Sequence, residues 1–285
     1  MPNVLEWARP SDLYRDYCLW DYKPIAKTEG KLRQSSLLWQ SFETLSASPA
    51  LRQLVEALRT ELGAFQTVWG VKKLAEGFAW ELYIYDYARI DRLADIQRVL
   101  QTIAPWVPST ITLPTDRPYF MFSFDIDAQL GTRHLDQLSV YIGNPGSSVS
   151  SGICYQLTDR GLRMDNLYYF FDARSQWKDI VAKVACSAHI GLREIPLDAI
   201  LWPELRDCGV IVVANKKHND GVYFSRITID QLIFFAQRLN YPEPIKSFLR
   251  QNRDRLDHLL YDVGIDYRMI EGTLQVTKSA YYGVV

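Results

Sequence analysis

Two short runs near the middle of the chain alternate, residue by residue, between a polar and an apolar face. In the first, Ser123, Asp125 and Asp127 stand against Phe122, Phe124 and Ile126; in the second, Gln137, Ser139 and Tyr141 stand against Leu138, Val140 and Ile142. A period of two sends successive side chains to opposite faces of an extended strand. The apolar faces can be buried under helices. In a chain that is 48% hydrophobic, the polar and aromatic faces are what constrain the fold.

The alternation recurs in pairs. Strands are expected over residues 67–74 and 78–87, around the turn Ala75-Glu76-Gly77; over 119–127 and 136–143; over 152–158 and 162–171, around Asp159-Arg160-Gly161; over 210–216 and 221–227, around His218-Asn219-Asp220; and over 259–268 and 274–284, around Glu271-Gly272. Short turns of this kind make antiparallel hairpins. Helical spacing separates most pairs: Leu51, Leu54, Val55, Leu58 and Leu62 behind Ser48-Pro49; Leu93, Ile96, Leu100 and Ile103 before Pro105; residues 176–189; and a capping box at Thr228 and Gln231 that opens a helix to about Leu239, continued after Pro244 by Ile245, Phe248 and Leu256. Residues 1–35, aromatic but aperiodic, are expected to wrap the surface as an N-terminal segment, leaving 36–285 as a single domain.

Ten strands in one open sheet would leave two unpaired edges and one wet face. Closure removes the edges, lets the helices cover the apolar face and turns the polar face into a lumen. The expected fold class is therefore α+β: a ten-stranded antiparallel barrel with helices outside, in repeated α-β-β-α units. Alternation then points Glu81, Tyr83 and Tyr85 inward, with Tyr119, Met121, Ser123 and Asp125 on the next strand and Gln137, Ser139 and Tyr141 beside them. Cys154, Gln156, Asn166, Tyr168, Phe170, Tyr223, Ser225, Asp262, Gly264, Asp266 and Arg268 complete the lining. The last strand is ambiguous, because Leu274 and Val276 share parity with Lys278 and Tyr282. A ten-stranded barrel is wide enough to hold a ligand, and tyrosine suits a flat or lipophilic one.

Composition removes other classes. A net charge of −1 provides no basic face for nucleic acid. Cys18, Cys154, Cys186 and Cys208 are scattered without metal or disulfide spacing, as expected for a reducing cytoplasm. No run approaches the ~20 apolar residues of a membrane span, and the N-terminus does not read as a signal peptide, so a soluble cytoplasmic protein is expected.

Glu81 is the carboxylate best placed to orient an acceptor and take its proton, since Trp80, Tyr83 and Tyr85 form an aromatic wall around it; Asp125 is the second candidate. The competing role for Glu81 is a rim ion pair with Lys72. His134, His189, His218 and His258 lack ligand spacing, so no protein metal site is expected. Mg2+ is the one cofactor suggested, by Asp125-x-Asp127, a spacing common by chance. No Gly-rich phosphate loop, serine nucleophile elbow or Cys-His signature is present.

Helix-strand-strand units closing ten antiparallel strands resemble the ABBA-type aromatic prenyltransferases, over most of the chain from about Leu51. Phe124-Asp125-Ile126 leading to Val140-Tyr141 and Pro145 is similar to the strand pair of the indole branch, in which an FD-containing strand precedes an Arg-x-Lys-x-Tyr strand. Lys278-Ser279-Ala280-Tyr281-Tyr282 is similar to the Lys and Tyr-Tyr ending of several members. The resemblance implies an allylic diphosphate donor and an aromatic, indole or peptide acceptor in the lumen. Cations would meet the leaving diphosphate, aromatic faces would shield the carbocation, and Glu81 or Asp125 would take the proton. Expected substrate contacts are Tyr83, Tyr85, Met121, Ser139, Tyr141, Gln156, Asn166, Tyr168, Tyr223, Arg268, Lys278 and Tyr281. The chain departs from the pattern at Gln137 and Ser139, which stand where the family has Arg and Lys. Cations left for a diphosphate are Lys72 or Lys73, Lys216 or Lys217, Arg226, Arg268 and Lys278, of which alternation most clearly supports Arg268. Two rival readings keep the barrel without the diphosphate: a natural-product cyclase using Glu81, Asp125 and the tyrosines, and a noncatalytic carrier of a flat hydrophobic molecule.

Overall fold

In a computed structural model, described for residues 4–111, 117–128, 134–143, 150–191 and 197–285, the hairpins close on themselves. The strands are β1 (Thr67–Leu74), β2 (Gly77–Tyr85), β3 (Tyr119–Ile126), β4 (Gln137–Gly143), β5 (Ser150–Thr158), β6 (Gly161–Asp172), β7 (Val210–Lys216), β8 (Asp220–Ile227), β9 (Tyr261–Ile270) and β10 (Thr273–Val284). Each pairs antiparallel with its sequence neighbours, and β10 returns beside β1, from Val68 opposite Val284 to Lys73 opposite Ser279, which completes the barrel. Pro145, part of the family resemblance, lies outside the described residues.

Helices coat the outer wall: α1 (Ser35–Thr44), α2 (Pro49–Leu62), α3 (Ile96–Ile103), α4 (Trp177–Val184), α5 (Ile229–Arg238), α6 (Glu243–Gln251) and α7 (Arg253–Leu256). Local sequence explains their starts. Ser48 caps α2 by accepting the Ala50 amide at 3.3 Å, with proline in the first turn. The expected capping box of Thr228 and Gln231 opens α5. Leu51, Leu54, Val55 and Leu58 of α2 are fully buried in one continuous core with the outward strand residues Trp69, Val71, Leu82, Ile84, Phe122 and Phe124. At ~1.5–3 kcal/mol for each large apolar side chain removed from water, this shell is the main source of stability. Between β3 and β6 no helix intervenes among the described residues. No described helix is long and apolar enough to cross a membrane.

Four bulges interrupt the strand pairing among the described residues, and three of them bear on the expected site residues. Between Tyr119 and Met121 the register with β4 slips, so Tyr119 faces the helices: its hydroxyl accepts the Ile96 amide at 3.1 Å and the Arg92 guanidinium lies 3.6 Å from its ring centre. Between Val276 and Lys278 the register with β9 slips at Thr277, placing Val276 beside outward Tyr267 and Lys278 beside inward Asp266. One extra residue thus resolves the ambiguity of the last strand. It also corrects Tyr281, expected to contact substrate, which is buried in the outer core with its ring 5.9 Å from Trp69 and 5.6 Å from Tyr241. The third bulge, between Ser225 and Ile227, leaves Arg226 in a left-handed conformation, φ 64°, with its guanidinium directed to Asp16 and not into the lumen.

The N-terminal segment is more than a surface wrap. Leu32 and Asp16 are buried, and the turn at 16–20 enters one barrel mouth. Arg226 Nε pairs with Asp16 at 2.9 Å, the Tyr17 amide donates to Asp262 at 2.9 Å, and the Tyr17 ring lies 5.6 Å from Tyr282.

Candidate functional site

Five tyrosines form a belt around the lumen. Tyr83 of β2, Tyr141 of β4, Tyr168 of β6, Tyr223 of β8 and Tyr282 of β10 all face inward, one on every second strand. Each sits directly opposite a small residue on an odd-numbered strand: Tyr282 opposite Gly70, Tyr83 opposite Ser123, Tyr141 opposite Cys154, Tyr168 opposite Ala214 and Tyr223 opposite Gly264. From each small residue to the next tyrosine the belt steps two positions toward the same mouth, the stagger that closure of a tilted barrel requires. The small partners make the belt sterically possible. A Cβ on Gly264 would lie 2.2 Å from Tyr223 Cδ1, and one on Gly70 would lie 2.8 Å from Tyr282 Cε1. Neighbouring rings are 5.9 Å apart for Tyr83 and Tyr282, 6.4 Å for Tyr282 and Tyr223, 6.2 Å for Tyr223 and Tyr168, and 5.7 Å for Tyr168 and Tyr141.

On one side of the belt is an ionic layer divided into two unlike halves. Lys216 Nζ and Lys278 Nζ share one carboxylate, Asp266, at 2.6 and 2.8 Å. Lys72 Nζ is shared by two carboxylates, Glu81 at 3.0 Å and Asp125 at 2.6 Å. The β7–β9–β10 side therefore carries one excess positive charge and the β1–β2–β3 side one excess negative charge. Lys216 also donates to the Tyr223 hydroxyl at 2.8 Å, and Ser123 donates to Glu81 Oε1 at 2.6 Å. Against Glu81 and Asp125 opens a cavity of about 330 Å³ that also touches Ser123, Ser139 and Gln156.

The charges set one another's protonation. Burial pushes Glu81 upward, but Lys72 and Lys278 outweigh it and bring its pKa down to about 2. Asp266 is held below the ordinary carboxylate range by Lys216 and Lys278, again against burial. Burial lowers Lys216 to about 8, with Asp266 opposing and Lys278 reinforcing the fall. Burial in the mouth and the Glu81 charge raise Asp125 against the pull of Lys72; since the Asp125 side chain is 61% exposed, the Glu81 charge is the sturdier cause. Among the described residues no three His, Cys, Asp or Glu side chains converge as a metal site.

On the other side of the belt is an aromatic chamber of about 150 Å³, floored by the five tyrosines and walled by Tyr85, Met121, Phe120 and Phe170, with Tyr17 and Trp20 of the N-terminal turn at its roof. Trp20 lies 6.3 Å from Phe170, and the Tyr87 hydroxyl donates to the Cys18 carbonyl at 2.8 Å, tying the roof to the loop after β2. None of the five belt tyrosines lines the ionic cavity.

Compared with protein-family models, the chain matches none, and no curated protein matches it.

Most residues expected to face the lumen do so, divided between the compartments. Glu81, Asp125, Ser139 and Gln156 line the ionic cavity, where Gln156 Oε1 also accepts from Arg163 at 2.6 Å. Tyr83, Tyr85, Met121, Tyr141, Tyr168 and Tyr223 line the aromatic chamber. Asn166 donates to the Tyr168 hydroxyl at 3.4 Å, and Lys278 stands in the ionic layer. Arg268, the cation that alternation favoured, is exposed at the far end of β9, beyond Asp266. Among the described residues the cations of the ionic layer are Lys72, Lys216 and Lys278, so the layer is charge-balanced, not uncharged. Two were open to register counting: the tight turn that pairs Leu74 with Gly77 sets Lys72 opposite Ala79, on the face of Glu81, and inward Tyr223 fixes Ala214 and hence Lys216 as inward. Nothing in the sequence pattern announces the Tyr17–Trp20 roof.

Proposed function

We propose that the barrel transfers an allylic prenyl group from a diphosphate donor to an aromatic or indole acceptor, in the modification of a small molecule or peptide. The observation that carries this reading is the divided ionic layer beneath a tyrosine belt. The diphosphate belongs on the half with excess positive charge, at Lys278 and Lys216. The prenyl carbons lie against the tyrosine faces. The allylic C–O bond breaks with its electron pair leaving on the diphosphate; the acceptor's π electrons form the new C–C bond; the proton displaced from the acceptor goes to the carboxylate-rich half. There Asp125, with its raised pKa, is the proton acceptor, and Glu81, fixed by Lys72 and Ser123, orients the acceptor. The belt supplies cation-stabilising ring faces and excludes water, which would quench the cation.

Isothermal titration with dimethylallyl and geranyl thiolodiphosphates, with and without magnesium, tests the donor half. Saturable binding near micromolar, about −8 kcal/mol, that is lost in Lys216→Met/Lys278→Met supports it. Absence of binding to both analogues overturns the reading, leaving diphosphate-free chemistry at Glu81 and Asp125.

A further inference from the structure

The aromatic chamber lies across the belt from every charge used above, and its own polar groups are few. Tyr17 lines it, and the Tyr17 hydroxyl oxygen is buried without a hydrogen-bond partner among the described residues. A buried hydroxyl left unsatisfied costs ~1–3 kcal/mol, so a ligand offering an acceptor there recovers that loss. Arg89 also lines the chamber, on the loop that follows β2. Its backbone is left-handed, φ 64°, and its guanidinium is brought over Gly143 at the rim, where a Cβ would come 3.3 Å from Nη2. The conformation is uncommon for a residue other than glycine, Asn or Asp, and it turns the side chain back across the opening. The Asp86 carboxylate organises this loop by accepting the Ala88, Leu93 and Ala94 amides and makes no ion pair with the Arg89 guanidinium, whose backbone amide donates to the Asp86 carbonyl at 3.3 Å. The same loop exposes Ile90 and Leu93 at 79% and 77%.

The geometry points to a second ligand site, separate from the ionic layer, that takes a flat aromatic molecule bearing an anionic group: the ring on the tyrosine floor between Tyr85 and Phe170, the anion on Arg89 at the rim. Shape and chemistry agree on this class. A cavity of about 150 Å³ walled by rings fits a fused aromatic system and no large peptide. A guanidinium at the opening with no ion-pair partner among the described residues selects a carboxylate or other oxyanion over a neutral head group. The site does not depend on prenyl transfer and would serve equally for an acceptor, an inhibitor or an effector.

The test uses the full chain with two probes of one ring system, 2-naphthoate and the neutral 2-naphthalenemethanol. Affinities are read by isothermal titration and by quenching of tryptophan fluorescence, to which Trp20 at the roof contributes. The expected result is a preference of about tenfold for the carboxylate, the size of a charge-assisted hydrogen bond. In Arg89→Gln that preference disappears while the alcohol binds as before; Arg89 is exposed, so the variant is expected to fold. Tyr17→Phe should weaken both probes a few-fold. Equal affinity of the two probes for the unmodified protein overturns the inference, as does failure of either to bind. So does a carboxylate preference that survives Arg89→Gln and is lost in Lys278→Met, which would place the anion in the ionic layer.

Discussion

The two compartments of this lumen are built from the same strands and lie on opposite sides of one ring of tyrosines, yet they are held together by different physics. The aromatic chamber rests on shape, rings of 5.7–6.4 Å spacing fitted over small residues on alternate strands. The ionic layer rests on charge, three lysines and three carboxylates, all but Asp125 largely out of water, balanced only as a set. A few residues along an inward face are enough to change the kind of chemistry a barrel wall presents. One compartment should therefore be sensitive to volume, the other to charge and pH.

The largest effect expected is at Asp266. Asp266→Ala leaves Lys216 and Lys278 buried without their shared counter-ion, and removing one partner of a buried pair costs ~3–5 kcal/mol; urea denaturation should show a loss of that order. A loss under 1 kcal/mol would mean that water reaches the layer freely. Next comes a volume defect in the other compartment. Gly264→Ala forces the Tyr223 ring out of the belt, for ~1–3 kcal/mol, and should weaken ligands of the aromatic chamber more than any diphosphate analogue. An equal effect on both would break the separation.

A milder contrast is in pH. Asp262, beneath the N-terminal turn, is raised to about 8 by burial and by Asp16, so its contribution is complete below the ordinary carboxylate pKa and is lost as pH rises toward 8. Asp266 is lowered, so its contribution is complete above the ordinary value and is lost as pH falls below it. Thermal melts across pH should therefore find Asp262→Asn removing a loss that grows as pH rises from the ordinary carboxylate pKa to about 8, and Asp266→Asn one that grows as pH falls below it; slopes of the same sign would contradict the assignment. The smallest effect is at Asp125, whose side chain is 61% exposed. Asp125→Asn should cost at most ~1 kcal/mol of stability while reducing the proposed prenyl transfer far more.

The barrel was legible from sequence because alternation survives along most strands, and because short turns at Glu271-Gly272 and Asp159-Arg160-Gly161 leave neighbouring strands no choice but to pair. Tyr83, Tyr141, Tyr168 and Tyr223 followed from parity alone. Parity failed wherever a single bulged residue inverted a strand's faces, as at Tyr119 and at Thr277, because nothing in residue type marks such an insertion. The same inversion decides between Tyr281 and Tyr282. The lumen cations are all among the sequence candidates, but alternation ranks them wrongly: Arg268 has the right parity yet stands too near the strand end, because alternation gives a residue's face without its depth. The roof of the aromatic chamber was beyond reach, since it depends on Asp16 meeting Arg226 across a separation of 210 positions.

The one-to-one matching of each belt tyrosine with a small residue on an adjacent strand has a consequence for change over generations, natural or in the laboratory. Each pairing is a facet set by strand register, so a tyrosine can be exchanged for a smaller ring or an aliphatic side chain without altering the strand pairing, at the cost of its contacts with the neighbouring rings. Five facets with a handful of tolerated side chains each make a combinatorial set of chamber shapes on one unchanged wall. New specificities on this scaffold should accumulate by single steps, each costing only the ring contacts it removes, while the ionic layer can change only in compensated groups.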